Sequence, residues 1–167
     1  MLENHQIELL KTLSNLVGIS GHEEQILQFV SEQLPFCTKE QDKLGSGLFS
    51  LGEGDLSIMF ATHMDEVGFV VSSIHERGYV SIQPVGNMWA HTLLQQLVTI
   101  TTSDGRQWTG IIGGPQTHAI SPEARKKVVA MEELFVDLGV DNRESIQEMG
   151  IEVGAVVSLV SNCQTIG

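Results

Sequence analysis

Residues 56–61 are apolar except for Ser57 and run almost directly into His63-Met64-Asp65-Glu66. An apolar run of this length, bounded by turn residues, predicts a central strand buried on both faces, which needs strands beside it and helices above and below. Ligand sites collect at the C-terminal ends of strands in open α/β sheets. The first candidate site is therefore His63 to Glu66. A lone histidine at a strand end more often packs than ligates. Asp65 alters that balance, because a metal-bound imidazole normally gives its second ring N–H to a carboxylate or carbonyl.

The flanking sequence fixes the rest of the architecture. Leu9, Leu10, Leu13, Leu16 and Val17 recur at helical spacing and stop at Gly18. Ser20 with Glu23 three positions on has the form of a capping box, and Ile26, Leu27, Val30 and Leu34 continue a second helix up to Pro35. After residue 66 the pattern changes to hairpins. Segments 67–74 and 79–85 flank Arg77-Gly78, and 97–102 and 107–112 flank Asp104-Gly105, the strongest hairpin signal in the chain. Segment 113–121, with Pro115 and His118, is aperiodic and predicts a loop. Ser121-Pro122 predicts the start of a short helix, 134–138 a strand, Asp141 or Asn142 a helix cap before Met149-Gly150, and 155–160 a last strand. A domain boundary is expected within 67–83.

Charge narrows the partners. Acidic residues outnumber basic ones 21 to 9, for a net charge of −12, which opposes binding to nucleic acid or anionic membranes. No apolar run reaches the roughly 18–20 residues of a membrane span, and the first residues lack the layout of a signal peptide. A cytoplasmic location is the resulting expectation. Cys37 and Cys163 are far apart and lack zinc-ribbon spacing.

Residues 61–69, Ala-Thr-His-Met-Asp-Glu-Val-Gly-Phe, resemble the signature of the dinuclear-metal aminopeptidases of metallopeptidase family forty-two. This family includes the tetrahedral, glutamyl and deblocking aminopeptidases, and some members have been labelled endoglucanases. Gly18-Ile19-Ser20-Gly21-His22-Glu23 is similar to the family's Ser-Gly-x-Glu opening, and Asp42-Lys43-Leu44-Gly45 to its Asp-x-Leu-Gly turn. Pro84-Val85-Gly86, the loop leading to His118, Arg125-Lys126 and the stretch from Leu134 to Gly154 follow the family order. There are departures: Asn87-Met88-Trp89 replaces an aromatic pair, Gln116-Thr117-His118 a Pro-Pro-His loop, and Gly154-Ala155 a Gly-Asp pair.

The resemblance implies an α/β fold in which the start of a zinc-peptidase-like catalytic domain is interrupted by a smaller β-rich dimerisation domain. On that basis residues 1–66 form the N-terminal part of the catalytic domain, 67–162 the inserted domain, and 163–167 the return to the catalytic domain. His63 matches a metal ligand, and Asp65 matches the catalytic-site carboxylate beside it. The implied cofactors are two divalent metal ions, zinc or cobalt, and the implied partners are peptide substrates and a homo-oligomer built from dimers. The family's remaining ligands and its catalytic Glu lie beyond the inserted domain, past Gly167. Such a site needs several ligands for its metals and a separate carboxylate as base, so the expectation is an inactive truncated form of a metalloaminopeptidase.

His118, Asp137, Asp141, Glu132 and Glu133 are the other residues able to ligate. For the four acids a local cap, turn or solvated role is expected, and His118 is left open between interface, pocket and no role. Two alternatives stand beside the peptidase: a non-catalytic interaction or oligomerisation module, and a glycoside hydrolase. The latter needs two carboxylates at a defined separation, and no such pair stands out.

Overall fold

The computed structural model describes residues 3–115 and 121–166. His118 and most of the expected loop at 113–121 lie outside the described residues. The chain divides into two compact units, one of residues 1–66 with 161–167, the other of residues 67–160.

The first unit opens with two helices, α1 (Asn4–Asn15) and α2 (Glu24–Gln33). α2 buries Ile26 and Leu27, one face of its helical repeat, and ends where the Leu34 N–H turns back to the Val30 and Ser31 carbonyls. A two-stranded antiparallel sheet follows, β1 (Thr38–Gln41) with β2 (Gly47–Ser50). Its turn is set by Asp42, whose Oδ1 accepts from the Leu44 and Ser46 amides at 2.8 and 2.9 Å. Those bonds hold the Asp42 carboxyl below its usual range, with the Ser46 amide the largest influence.

Two expectations fail in this unit. Residues 56–61 form no strand, and Leu56 and Phe60 are 82% and 95% exposed. A strand exists only through hydrogen bonds to a neighbour, and among the described residues none pairs with this segment. Ser20 and Glu23 form no capping box. α2 begins at Glu24, its cap residue Glu23 makes no side-chain cap bond, and the Ser20 hydroxyl is taken by Asp65 instead.

The second unit is a closed six-stranded antiparallel barrel of β3 (Gly68–Ile74), β4 (Tyr79–Val85), β5 (Leu97–Thr101), β6 (Gln107–Gly113), β7 (Phe135–Asp137) and β8 (Val156–Leu159). The order around it is β3-β4-β7-β6-β5-β8, closing on β3. Alternation puts Phe69, Val71, Val80, Ile82, Val98, Ile100, Ile112, Val136 and Val157 inside. Each such side chain contributes about 1.5–3 kcal/mol by leaving water. Ile146, from α3 (Arg143–Glu148), is also fully buried in this core.

Both hairpins form at the expected turns, with Gly78 (φ 76°) and Gly105 (φ 84°) in the left-handed region their Arg-Gly and Asp-Gly pairs require. Asn142 caps α3, accepting from the Ser145 amide at 2.9 Å, while Asp141 does not. The helix expected at Ser121-Pro122 shrinks to a 3-10 turn, Ala124–Lys126. The architecture is thus mixed α/β with a β-barrel. Among the described residues no helix is long and apolar enough to cross a membrane.

Candidate metal centre

Segments 18–23 and 63–66 of the first unit are tied to each other through their backbones. Ile19 and Glu66 form a parallel bridge, and the Glu66 amide donates to the Gly18 carbonyl at 2.7 Å. The return contact runs from the Gly18 amide to Glu66 Oε1 at 3.4 Å. Gly18 and Ile19 are both buried, and a β-carbon at Gly18 would stand 3.3 Å from the Met64 carbonyl oxygen. Glycine permits the close approach.

On this frame His63 and Asp65 meet. His63 Nδ1 lies 3.0 Å from the Asp65 carbonyl oxygen and 3.4 Å from Asp65 Oδ1. Both neighbours are acceptors, an arrangement that favours the ring hydrogen on Nδ1. The His63 side chain is 84% exposed, which leaves Nε2 open to a ligand. Ser20 Oγ donates to Asp65 Oδ2 at 2.5 Å. The Ser20 hydroxyl, then the nearby His63 ring, hold the Asp65 carboxyl below its usual range. Asp65 is therefore an anion throughout the neutral range.

With its hydrogen on Nδ1 beside a carboxylate, such a ring would offer Nε2 to one coordination position of a divalent metal. Among the described residues no three His, Cys, Asp or Glu side chains converge to hold an ion. The other candidates are engaged locally. Asp137 Oδ1 accepts from the Gly139 amide at 2.8 Å, and Glu133 Oε2 from the Ala130 amide at 3.0 Å. Glu132 is exposed in the same 3-10 turn as Glu133. Ser20 is the participant the sequence pattern conceals. The signal for it is its place in the Gly-Ile-Ser-Gly-His-Glu stretch, where the capping-box reading competes.

Residues 45–167 match the M42 glutamyl aminopeptidase family. The chain belongs to that family. Among curated relatives, this M42 chain is 28% identical over 165 residues to the lysyl aminopeptidase of Pyrococcus furiosus, an alignment covering 93% of the chain and 46% of the relative. Among solved structures it is similar to the TET aminopeptidase of the marine sediment archaeon Thaumarchaeota archaeon SCGC AB-539-E09. That match has 35% identity and a TM-score of 0.92, over 99% of this chain and 47% of the other. A second is the Pyrococcus horikoshii TET1 peptidase, described as able to assemble into a tetrahedron or a large octahedral shell. Here the identity is 30% and the TM-score 0.82, over 92% of this chain and 46% of the other. The chain spans just under half the length of each of these proteins.

Proposed function

We propose that this chain is the His63-bearing part of a metal-dependent aminopeptidase that releases N-terminal residues from peptides. The observation that carries the reading is the His63 ring, whose Nδ1 faces Asp65 while the side chain is otherwise largely exposed. His63 would take one metal position, and Asp65 would orient the ring and raise its basicity. A bound pair of divalent ions, zinc or cobalt, would supply Lewis acidity and activate water near neutral pH. Zinc sites take at least three protein ligands, so the further ligands and the general base lie beyond the described residues. On this reading the 167-residue chain alone is inactive.

In the same reading residues 1–66 and 163–167 belong to the catalytic domain, and 67–162 form a β-rich dimerisation domain of a cytoplasmic homo-oligomer. Leu97 and Ile111, a cross-strand pair left exposed on the barrel, support an association face.

The test has two measurements on the 167-residue chain. Zn2+ or Co2+ titration followed by the 15N resonances of the His63 ring should perturb Nε2. Adding a polypeptide that supplies the part of the Thaumarchaeota TET aminopeptidase not matched here should give hydrolysis of aminoacyl p-nitroanilides that His63→Ala abolishes. A His63 ring still indifferent to both metals once that polypeptide is added, or turnover unchanged in His63→Ala, overturns the reading.

A further inference from the structure

The contact between Ser20 and Asp65 joins residues 45 positions apart in sequence, and nothing in local structure requires it. Ser20 is exposed and precedes α2 without capping it. Its backbone is nevertheless fixed, because Ile19 is fully buried and bridged to Glu66, and the His22 amide donates to the Ile19 carbonyl at 2.7 Å. The hydroxyl is thus a donor held in place before any ligand arrives.

Asp65 has the opposite problem. Its side chain is 44% exposed, and an exposed aspartate freely exchanges rotamers with water as its partner. With Oδ2 bound by Ser20, the remaining oxygen, Oδ1, is left facing His63 Nδ1. The Asp65 carbonyl and carboxylate together favour the ring hydrogen on Nδ1, and the carboxylate adds the negative charge that makes Nε2 a better donor to a cation.

We propose that Ser20 is a positioning residue of the metal centre, acting on His63 through the Asp65 carboxylate. The proposal rests on His63 being a metal ligand, yet its first consequence exists without metal. The Ser20 hydroxyl, held by the buried strand-like contact of Ile19 with Glu66, sets the rotamer of Asp65 and thereby the electronic state of the His63 ring.

The experiment uses the whole 167-residue chain. Long-range 1H–15N spectra of the histidine rings, with the His63 signals assigned by His63→Gln, read the balance between the Nδ1–H and Nε2–H forms in metal-free protein. Ser20→Ala should move His63 toward the Nε2–H form and weaken the Zn2+ response of its ring by up to about tenfold, the low end of the losses seen when a ligand's supporting partner is removed. Ser20→Thr keeps the hydroxyl and should restore both readings. In an Asp65→Asn background, Ser20→Ala should add no more than a small further change, because the effect is routed through that carboxylate. Unchanged His63 shifts in a folded Ser20→Ala chain overturn the proposal and leave His63 as a ligand. If Ser20→Ala does not fold, equal Zn2+ responses in Ser20→Cys and wild type overturn it, since a thiol is a poor substitute for the hydroxyl donor. A His63 ring indifferent to Zn2+ in the wild type would instead remove the metal reading, while the metal-free comparison still decides whether Ser20 controls the ring.

Discussion

Gly78 and Val140 lie so close that any side chain at position 78 would force the backbone to shift: a β-carbon there would stand 2.2 Å from the Val140 carbonyl oxygen. The same glycine sits at φ 76° in the turn between β3 and β4, where the His75 amide bonds the Tyr79 carbonyl at 2.8 Å. A left-handed conformation costs a non-glycine residue about 1–2 kcal/mol, and forced repacking a further 1–3 kcal/mol or so. Gly78→Ala should therefore lower barrel stability by about 2–5 kcal/mol in urea unfolding. A loss below about 1 kcal/mol would mean that the 138–142 segment moves freely out of the way.

Asn142 closes the other side of that contact. Its Oδ1 accepts from both the Ser145 amide and the Ser145 hydroxyl at 2.9 Å, satisfying the first turn of α3. Asn142→Ala should cost about 1 kcal/mol, the usual worth of an N-cap, and Asn142→Asp should cost much less. Denaturant midpoints at one pH compare the three proteins. Equal midpoints for the alanine variant and the wild type would show that Ile146 burial alone holds the helix.

These two sites also show why the barrel was legible in the sequence and the first unit much less so. Turn and cap chemistry at Gly78, Gly105 and Asn142 acts within a few residues, so the hairpins and α3 can be read from short stretches. Segment 56–61 has the composition of a buried strand, but composition cannot supply the hydrogen-bonding neighbour that makes one. Ser20 fails in a related way. Its spacing to Glu23 favours a cap, whereas an acceptor 45 residues away wins its hydroxyl. His63 and Asp65 were visible because they lie two positions apart on one turn of chain. The serine that supports them was visible only after folding.

Acid should weaken the β5 to β6 hairpin through Asp104. The Thr102 hydroxyl donates to Asp104 Oδ1 at 2.5 Å, and Arg106 Nε to Oδ2 at 2.8 Å. Thr102, then Arg106, hold the carboxyl below its ordinary value of 3.8. A carboxylate whose pKa is lower in the folded state stabilises fully at neutral pH, and that stabilisation is lost as pH falls below about 4. Unfolding midpoints from pH 7 to pH 3 should fall less steeply in Asp104→Asn than in the wild type. Parallel slopes would remove Asp104 from the acid response.

At the candidate metal centre, His63→Ala and Asp65→Asn should differ in kind. Losing the imidazole removes the ring nitrogen that this centre offers and should abolish the Zn2+ response at this centre. Asp65→Asn keeps the main-chain carbonyl at 3.0 Å from Nδ1, so binding should survive with a loss of about 10–100-fold. Calorimetry at matched pH measures both variants. Equal losses in the two would place Asp65 among the direct ligands rather than behind His63.

The 167-residue chain by itself should show no appreciable aminopeptidase turnover and should self-associate. One imidazole leaves most coordination positions to water, while among the described residues no second and third ligand converge on it. Association has a separate cause in Leu56, Ile58, Met59 and Phe60, all exposed on a segment that pairs with no strand among the described residues. Contiguous apolar surface with unpaired backbone is a template for pairing with another chain. Sedimentation across a concentration series should show oligomers that the double substitution Ile58→Lys with Phe60→Lys disperses, without changing the barrel's own unfolding. Assays with zinc, cobalt and manganese on several aminoacyl substrates should show only background hydrolysis. A monomer at high concentration would assign the apolar segment a partner within the chain. Tight binding of two metals with turnover would place residues such as His118 or Asp137 among the ligands.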